Sequence, residues 1–272
     1  MPPLRTASTS WSAAADGGTP MALLWIYVFL FGLVIGSFLN VLVYRLPREM
    51  PIAHGFSQCT GCGHRLYPKD LVPLFSYLFL RGRCRYCGAH ISFQYPAVEL
   101  ANALLWLLCA GVFGFTPRAL AAALLCSCLL TVLLIDWFHQ IIPDVMCLAI
   151  LVCGLGLWAA GGGPDLTARL IGFVVISVPL LLLALLSGGR AMGGGDIKLM
   201  AALGFCLGWQ CTILTTMLGA LLGTLAVVVL RPTRFALGRE VSFGSFLALG
   251  GMIALFCGDG IIGWYLSLVI GA

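Results

Sequence analysis

Apolar runs long enough to cross a bilayer recur along almost the whole chain, and that feature leaves few folds open. A spanning helix needs roughly 17–25 mostly apolar residues. Eight segments read as candidates: residues 22–44, 98–115, 119–138, 145–160, 166–186, 197–207, 211–230 and 243–256. The sixth and eighth are short, and residues 261–270 either extend the eighth or lie in the membrane interface. A mean hydropathy of +1.04 over 272 residues excludes an ordinary soluble domain. The expected fold is an all-α polytopic membrane protein with about eight transmembrane helices. Residues 1–21 are polar, small and Pro-containing and read as a disordered tail. The first apolar run, 22–44, is long enough to span and carries no obvious signal-peptidase site.

A formal net charge of +5 raises the question of nucleic acid, but the distribution answers it otherwise. With the N-terminus outside, three segments face the cytoplasm: the 45–96 loop, the 188–198 turn and the 231–240 loop. They hold twelve of the fifteen basic residues, and only Arg5, Arg118 and Arg169 fall elsewhere. This is the positive-inside bias, which sets orientation and accounts for the charge with no nucleic-acid partner.

One stretch breaks the membrane pattern. Residues 45–95 are polar, basic and rich in Gly, Pro and Cys, too long for a simple helix connection and too short to build a large core, so they need a staple. Cys59-Thr60-Gly61-Cys62 is followed by Cys84-Arg85-Tyr86-Cys87. Two such knuckles bring four thiolates to one tetrahedral ion, and the spacing points to structural zinc. A cytoplasmic loop lies in a reducing compartment, which argues against disulfides. Gly61, Gly63 and Gly88 are expected to ease the turns, and Arg83 and Arg85 to offset the thiolate charge. His64 and His90 lie beside the knuckles but read as loop histidines. The other eight cysteines sit in apolar segments, where cysteine acts as a small hydrophobe.

Only 9% of the residues are charged, so an ionisable group inside an apolar segment is a functional candidate by default. Of ten acids, Asp16, Glu49, Asp70, Asp165, Glu240 and Asp259 read as tail, loop or turn residues. Glu99, Asp136, Asp144 and Asp196 remain. In the topology above, Asp136 ends the third span and Asp196 opens the sixth at the same face. Two carboxylates sharing a site do not both ionise cheaply, so one activates water while the other donates a proton. The alternative for each is an acid at a helix end. Asp144 follows Pro143 and reads as a helix-start residue; Lys198 reads as a snorkelling anchor, and His139, one turn after Asp136, as a loop histidine.

Five motifs, in order, resemble the bacterial type IV prepilin peptidases, or leader peptidase/N-methyltransferases, of the Gly-x-Gly-Asp aspartyl protease group. They are Gly36-Ser37-Phe38-Leu39-Asn40-Val41 with Tyr44-Arg45-Leu46-Pro47; the two Cys-x-x-Cys pairs; Tyr95-Pro96-Ala97-Val98-Glu99; Asp136 with Ile142-Pro143-Asp144; and Gly193-Gly194-Gly195-Asp196-Ile197-Lys198-Leu199. One departure is Thr60, where the family commonly has proline. The resemblance implies cleavage, after a glycine, of the basic leader of type IV prepilins and type II secretion pseudopilins at the cytoplasmic side of the bacterial inner membrane. It also implies methylation of the new N-terminal residue from S-adenosylmethionine. It implies Asp136 and Asp196 as catalytic residues and Cys59, Cys62, Cys84 and Cys87 as zinc ligands. Residues 45–95 would form the zinc loop and 96–272 the membrane-embedded peptidase core. No signature for the methyl donor is readable; Glu99 and Asn40 are its candidates, against an alternative of helix–helix hydrogen bonding. The rival reading is a proton- or ion-coupled transporter with Asp136 and Asp196 on the ion path. A methyltransferase or zinc-stapled scaffold without proteolysis, and a presenilin-like protease, are further rivals.

Overall fold

The computed structural model describes residues 18–52, 54–190, 192–230 and 242–270. Most of the 1–21 tail and the whole 231–240 loop, with Arg231, Arg234 and Arg239, lie outside the described residues. Among the described residues ten α-helices follow one another: α1 (Gly18–Arg45), α2 (Phe75–Phe79), α3 (Gln94–Phe113), α4 (Pro117–His139), α5 (Asp144–Ala159), α6 (Leu166–Val175), α7 (Ser177–Leu186), α8 (Gly194–Leu207), α9 (Trp209–Leu230) and α10 (Phe243–Ile270).

Six helical stretches among the described residues are long and apolar enough to cross a membrane, α6 and α7 together making one of them. The eight expected spans are all helical, but α5 and α8 have only 16 and 14 residues. At ~1.5 Å per residue they fall short of a bilayer core. Two expectations need correction. Residues 261–270 extend the last span, one of their two expected readings, but because α10 runs unbroken to Ile270, Asp259 is a helical residue and not part of a turn. At the other end α1 starts at Gly18 and takes in residues assigned to the tail.

Local chemistry sets the helix ends. Thr116 Oγ1 accepts the Ala119 N–H at 3.2 Å and Pro117 opens α4, an N-cap with proline where no donor is needed. Asp165 caps α6 in the same way, through the Ala168 N–H at 3.1 Å. The break between α6 and α7 lies one turn ahead of Pro179, which has no N–H for the Val175 carbonyl and whose ring crowds that group. Gly208 ends α8 at φ +77°.

Packing is through small residues, as expected where lipid removes any hydrophobic drive between helices. A Cβ at Gly32 or Gly36 would lie 2.7 Å from the Cα of Ala103 or Glu99, so this glycine pair lets α1 lie against α3. Gly172 of α6 and Gly204 of α8 meet backbone to backbone, and a side chain at either would collide with the other's carbonyl. Helix α4 is central, contacting α1, α3, α5 and α10. Asn102 is fully buried; it donates to the Gly32 carbonyl at 2.8 Å and accepts from Ser127 Oγ at 2.7 Å, tying α1, α3 and α4 together.

Candidate active site

Contacts of Ile142, Asp136 and Asp196 with the start of α10 gather the C-terminal end of α4 with the N-terminal ends of α5, α8 and α10. Asp136 lies in the last turn of α4 and Asp196 in the first turn of α8. Between them comes Gly244, at the start of α10. A Cβ built there would stand 2.9 Å from Asp136 Oδ2 and 3.0 Å from Asp196 Oδ1. Both oxygens therefore lie within about 6 Å of each other, the range in which two carboxylates couple. Ser245 fixes one of them: its N–H and hydroxyl donate to Asp136 Oδ2 at 2.6 and 3.1 Å. The hydroxyl also reaches the Leu133 carbonyl at 3.0 Å. Gly195 leaves room for Ile142, whose Cβ would be 2.9 Å from a side chain there.

Another acid near this end, Asp144, is occupied. Asp144 opens α5 and takes both oxygens to Lys198 Nζ, at 2.7 and 2.8 Å. Lys198, read as a lipid-surface anchor, is thus half of an exposed ion pair. His139 ends α4 without a bond to Asp136.

In the loop between α1 and α3 the two knuckles repeat one geometry. Cys59 N–H donates to the His64 carbonyl at 2.9 Å and Cys84 N–H to the Ala89 carbonyl at 2.8 Å. Gly63 and Gly88 donate back to the Cys59 and Cys84 carbonyls, both at 2.9 Å, from φ of +69° and +71°. That left-handed backbone favours glycine. Gly61 serves differently: a Cβ there would lie 2.9 Å from Ala89 Cβ, so its role is close approach of the two knuckles. All four sulfurs lie within 4.8 Å of one another. A tetrahedral ion with ~2.3 Å zinc–sulfur bonds separates its sulfurs by about 3.8 Å, and Cys59 and Cys87 stand at 3.8 Å. The donor set therefore fits zinc. The Gly61 and Cys62 N–H groups draw the Cys59 thiol down to about 7.

Arg85, expected to offset the thiolates, is instead paired with Asp70 at 2.7 Å, where Tyr86 OH also donates at 2.9 Å. Burial pushes the Asp70 carboxyl up, but Arg85, the Tyr67 N–H and Tyr86 outweigh it and hold it below the usual carboxylate range. Arg45 anchors the loop by donating to the carbonyls of Pro51 and His54 at 3.0 and 2.8 Å.

Glu99 and Asn40 lie where α3 packs on α1. Glu99 accepts the Leu74 N–H at 2.7 Å, a bond from helix to loop, and is also bonded to the Ser37 side chain, which joins α3 to α1. Asn40 donates to the Tyr95 carbonyl at 3.1 Å. Its Oδ1 is the one buried side-chain polar atom without a partner among the described residues.

Sequence reasoning missed Gly244 and Ser245. Neither is charged, and the contact with Asp136 spans 109 positions. The one available signal was Gly-Ser beside the start of an apolar run.

The fold and this end of the bundle define a polytopic membrane protein with two close carboxylates at one face. Residues 30–113 match the bacterial peptidase A24 N-terminal domain, and residues 123–228 match the type IV leader peptidase family. A prepilin leader peptidase/N-methyltransferase of Pseudomonas aeruginosa is 40% identical over 88% of this chain and 92% of its own length. Proteins of the same name from Aeromonas salmonicida and Burkholderia pseudomallei are 36% and 34% identical, over 90% and 93% of this chain and 96% and 91% of theirs. The chain belongs to the type IV leader peptidase family and is a membrane peptidase. No solved structure is a significant match.

Proposed function

We propose that this protein removes the leader of type IV prepilins and type II secretion pseudopilins, with Asp136 and Asp196 as its catalytic pair, and then methylates the new N-terminus. The observation that carries the reading is the pair itself: two carboxylate oxygens facing each other across Gly244. The names of the relatives support the substrate class and the second activity.

Hydrolysis needs one carboxylate to take a proton from water as its oxygen attacks the scissile carbonyl carbon, and the other to protonate the leaving nitrogen. The protons belong to the pair, so neither aspartate has a fixed role. Ser245 orients Asp136 by two donors on one oxygen. The glycine at 244 leaves the space between the carboxylates to water and the peptide. A prepilin's apolar helix docks among the spans and leaves its basic leader in the cytoplasm, which puts the scissile bond at the depth of the aspartates. The positive-inside bias supports a bacterial inner-membrane location with the N-terminus outside and the cysteine loop in the cytoplasm.

Cys59, Cys62, Cys84 and Cys87 hold a structural zinc that closes the loop. S-adenosylmethionine supplies an electrophilic methyl group. The orphaned Asn40 Oδ1 fits a ligand carrying N–H donors, and Asn40 and Glu99 are the candidates for binding it. An ion path is the weaker reading, because both aspartates stand at one end of the bundle.

The test is mass spectrometry of a purified prepilin incubated with the protein and S-adenosylmethionine, which reads cleavage and a methyl adduct separately. Asp136→Asn and Asp196→Asn should each abolish cleavage while the protein still inserts and accumulates. Normal processing by either variant would sink the pair.

A further inference from the structure

At the end of the bundle opposite the aspartates lies a cavity of about 410 Å³, bordered by α4, α5, α6, α8, α9 and α10. Arg118 and Asp136 are both on α4, about 27 Å apart along its axis, so this cavity is separate from the peptidase site. Its charged lining is Arg118, Arg169 and Asp259.

The two guanidiniums converge. A Cβ at Gly163 would lie 3.5 Å from Arg169 Nη2 and 3.8 Å from Arg118 Nη2. The two nitrogens are thus within about 7 Å of each other, a gap that one phosphate bridges by charge-assisted hydrogen bonds. Arg169 is only 2% exposed. It spends Nε on the Pro164 carbonyl and Nη1 on the carbonyls of Phe205 and Cys206, at 2.9–3.1 Å. Among the described residues its Nη2 makes no hydrogen bond. Arg118 lies over the Phe113 ring at 4.9 Å. Among the described residues, neither arginine has a carboxylate partner. The opening residues of α9, Trp209 and Gln210, line the same cavity. Their N–H groups have no partner within the helix and add positive potential.

The depth of the cavity says where such a phosphate comes from. Helix α8 ends after about 21 Å and exposes its last carbonyls to Arg169, short of the ~30 Å hydrocarbon core. Helix α10 continues past Asp259 to Ile270. The end of α10 thus stands about 16 Å beyond Asp259, so the cavity is set inward of it, and a short element such as α8 draws headgroups inward by local thinning. Asp259 adds a carboxylate to the lining, which disfavours a ligand that is only negative and favours one carrying an adjoining cation.

We propose that this cavity binds a phosphate group on Arg118 and Arg169, with Asp259 holding an adjoining amine, as in an aminophospholipid headgroup. The proposal is independent of the peptidase reading.

The test is native mass spectrometry of the full-length protein in detergent, titrated with phosphatidylethanolamine, phosphatidylglycerol or inorganic phosphate. The wild type should retain phosphatidylethanolamine over phosphatidylglycerol. Arg118→Gln should weaken that adduct by at least about 10-fold, the loss of one charge-assisted phosphate contact. Arg118 is the residue to vary because Arg169 also ties down the end of α8. Asp259→Asn should remove the preference between the two lipids. Competition by inorganic phosphate supports the site and points to a free phosphate source; retention of lipid against phosphate supports it and points to the headgroup. Equal binding of every probe by wild type and Arg118→Gln overturns the proposal. A wild-type preference for phosphatidylglycerol overturns the role of Asp259. Leader cleavage by Arg118→Gln should stay at the wild-type rate.

Discussion

Two uncharged residues govern the geometry of the carboxylate pair. Gly244 keeps the space between Asp136 and Asp196 open, and Ser245 aims Asp136. A methyl group at position 244 would also stand 2.6 Å from Ile142 Cδ1, so the carboxylates and their wall would have to move together. Gly244→Ala should therefore lower kcat for leader cleavage by at least about 10-fold, the scale of a modest misplacement of reacting groups. Insertion and helix content should be unchanged by circular dichroism. Ser245→Ala leaves the backbone donor and removes the hydroxyl. A hydrogen bond to a charged group contributes about 1.5–3 kcal/mol, so cleavage should fall roughly 10- to 150-fold, with KM held. Wild-type rates in both variants would remove α10 from the site. The carboxylates themselves were legible in the sequence, because a charge in an apolar run is costly wherever it occurs. Gly244 and Ser245 were not, because only their neighbours in space make them matter.

Among the elements, the cysteine loop and the α6–α8 crossing carry separate stabilities. In the loop, Asp70 is bonded to Arg85, Tyr86 and the Tyr67 N–H, and its carboxyl is held below the usual range. The sign follows. This contribution is complete above the ordinary carboxylate pKa of ~3.9 and is lost as pH falls through the depressed folded value. On acidification, hydrogen exchange in residues 57–91 should rise in the wild type toward the level that Asp70→Asn shows throughout. The comparison removes the thiolate protonation common to both. A wild type that tracks Asp70→Asn at neutral pH would refute it. At the crossing, Gly172→Ala forces apart two backbones in contact, and overpacking of this kind costs about 1–3 kcal/mol. Its melting temperature in detergent should drop well below that of Gly260→Ala, where an added Cβ meets nothing within 4 Å. The knuckles were readable from spacing alone, since four thiols in two tight turns have few other arrangements. The crossing was not: Gly172 and Gly204 looked like any two glycines in a glycine-rich chain.

For the whole molecule, orientation is the first quantity to measure. A cysteine placed at the exposed position 69 (Lys69→Cys) should react with a membrane-impermeant thiol reagent in inverted vesicles and be protected in intact spheroplasts. The reverse pattern would turn the proposed topology over. The sequence by itself determined the membrane class, the costly carboxylates and the thiol set, because these follow from local composition, spacing and the price of charge in lipid. It placed eight helical segments well and left residues 261–270 either extending the last one or lying in the interface; the structure makes them part of α10, which runs to Ile270. Segment 197–207 was already short in the sequence, and the tertiary structure adds that α5, with 16 residues, also falls short of crossing by itself. It alone set Asp136 against Ser245, left Asn40 Oδ1 without a donor and turned two arginines into one cavity. Each of these contacts joins residues far apart in the chain, and their meeting depends on helix length, glycine-mediated approach and antiparallel order, which only packing fixes.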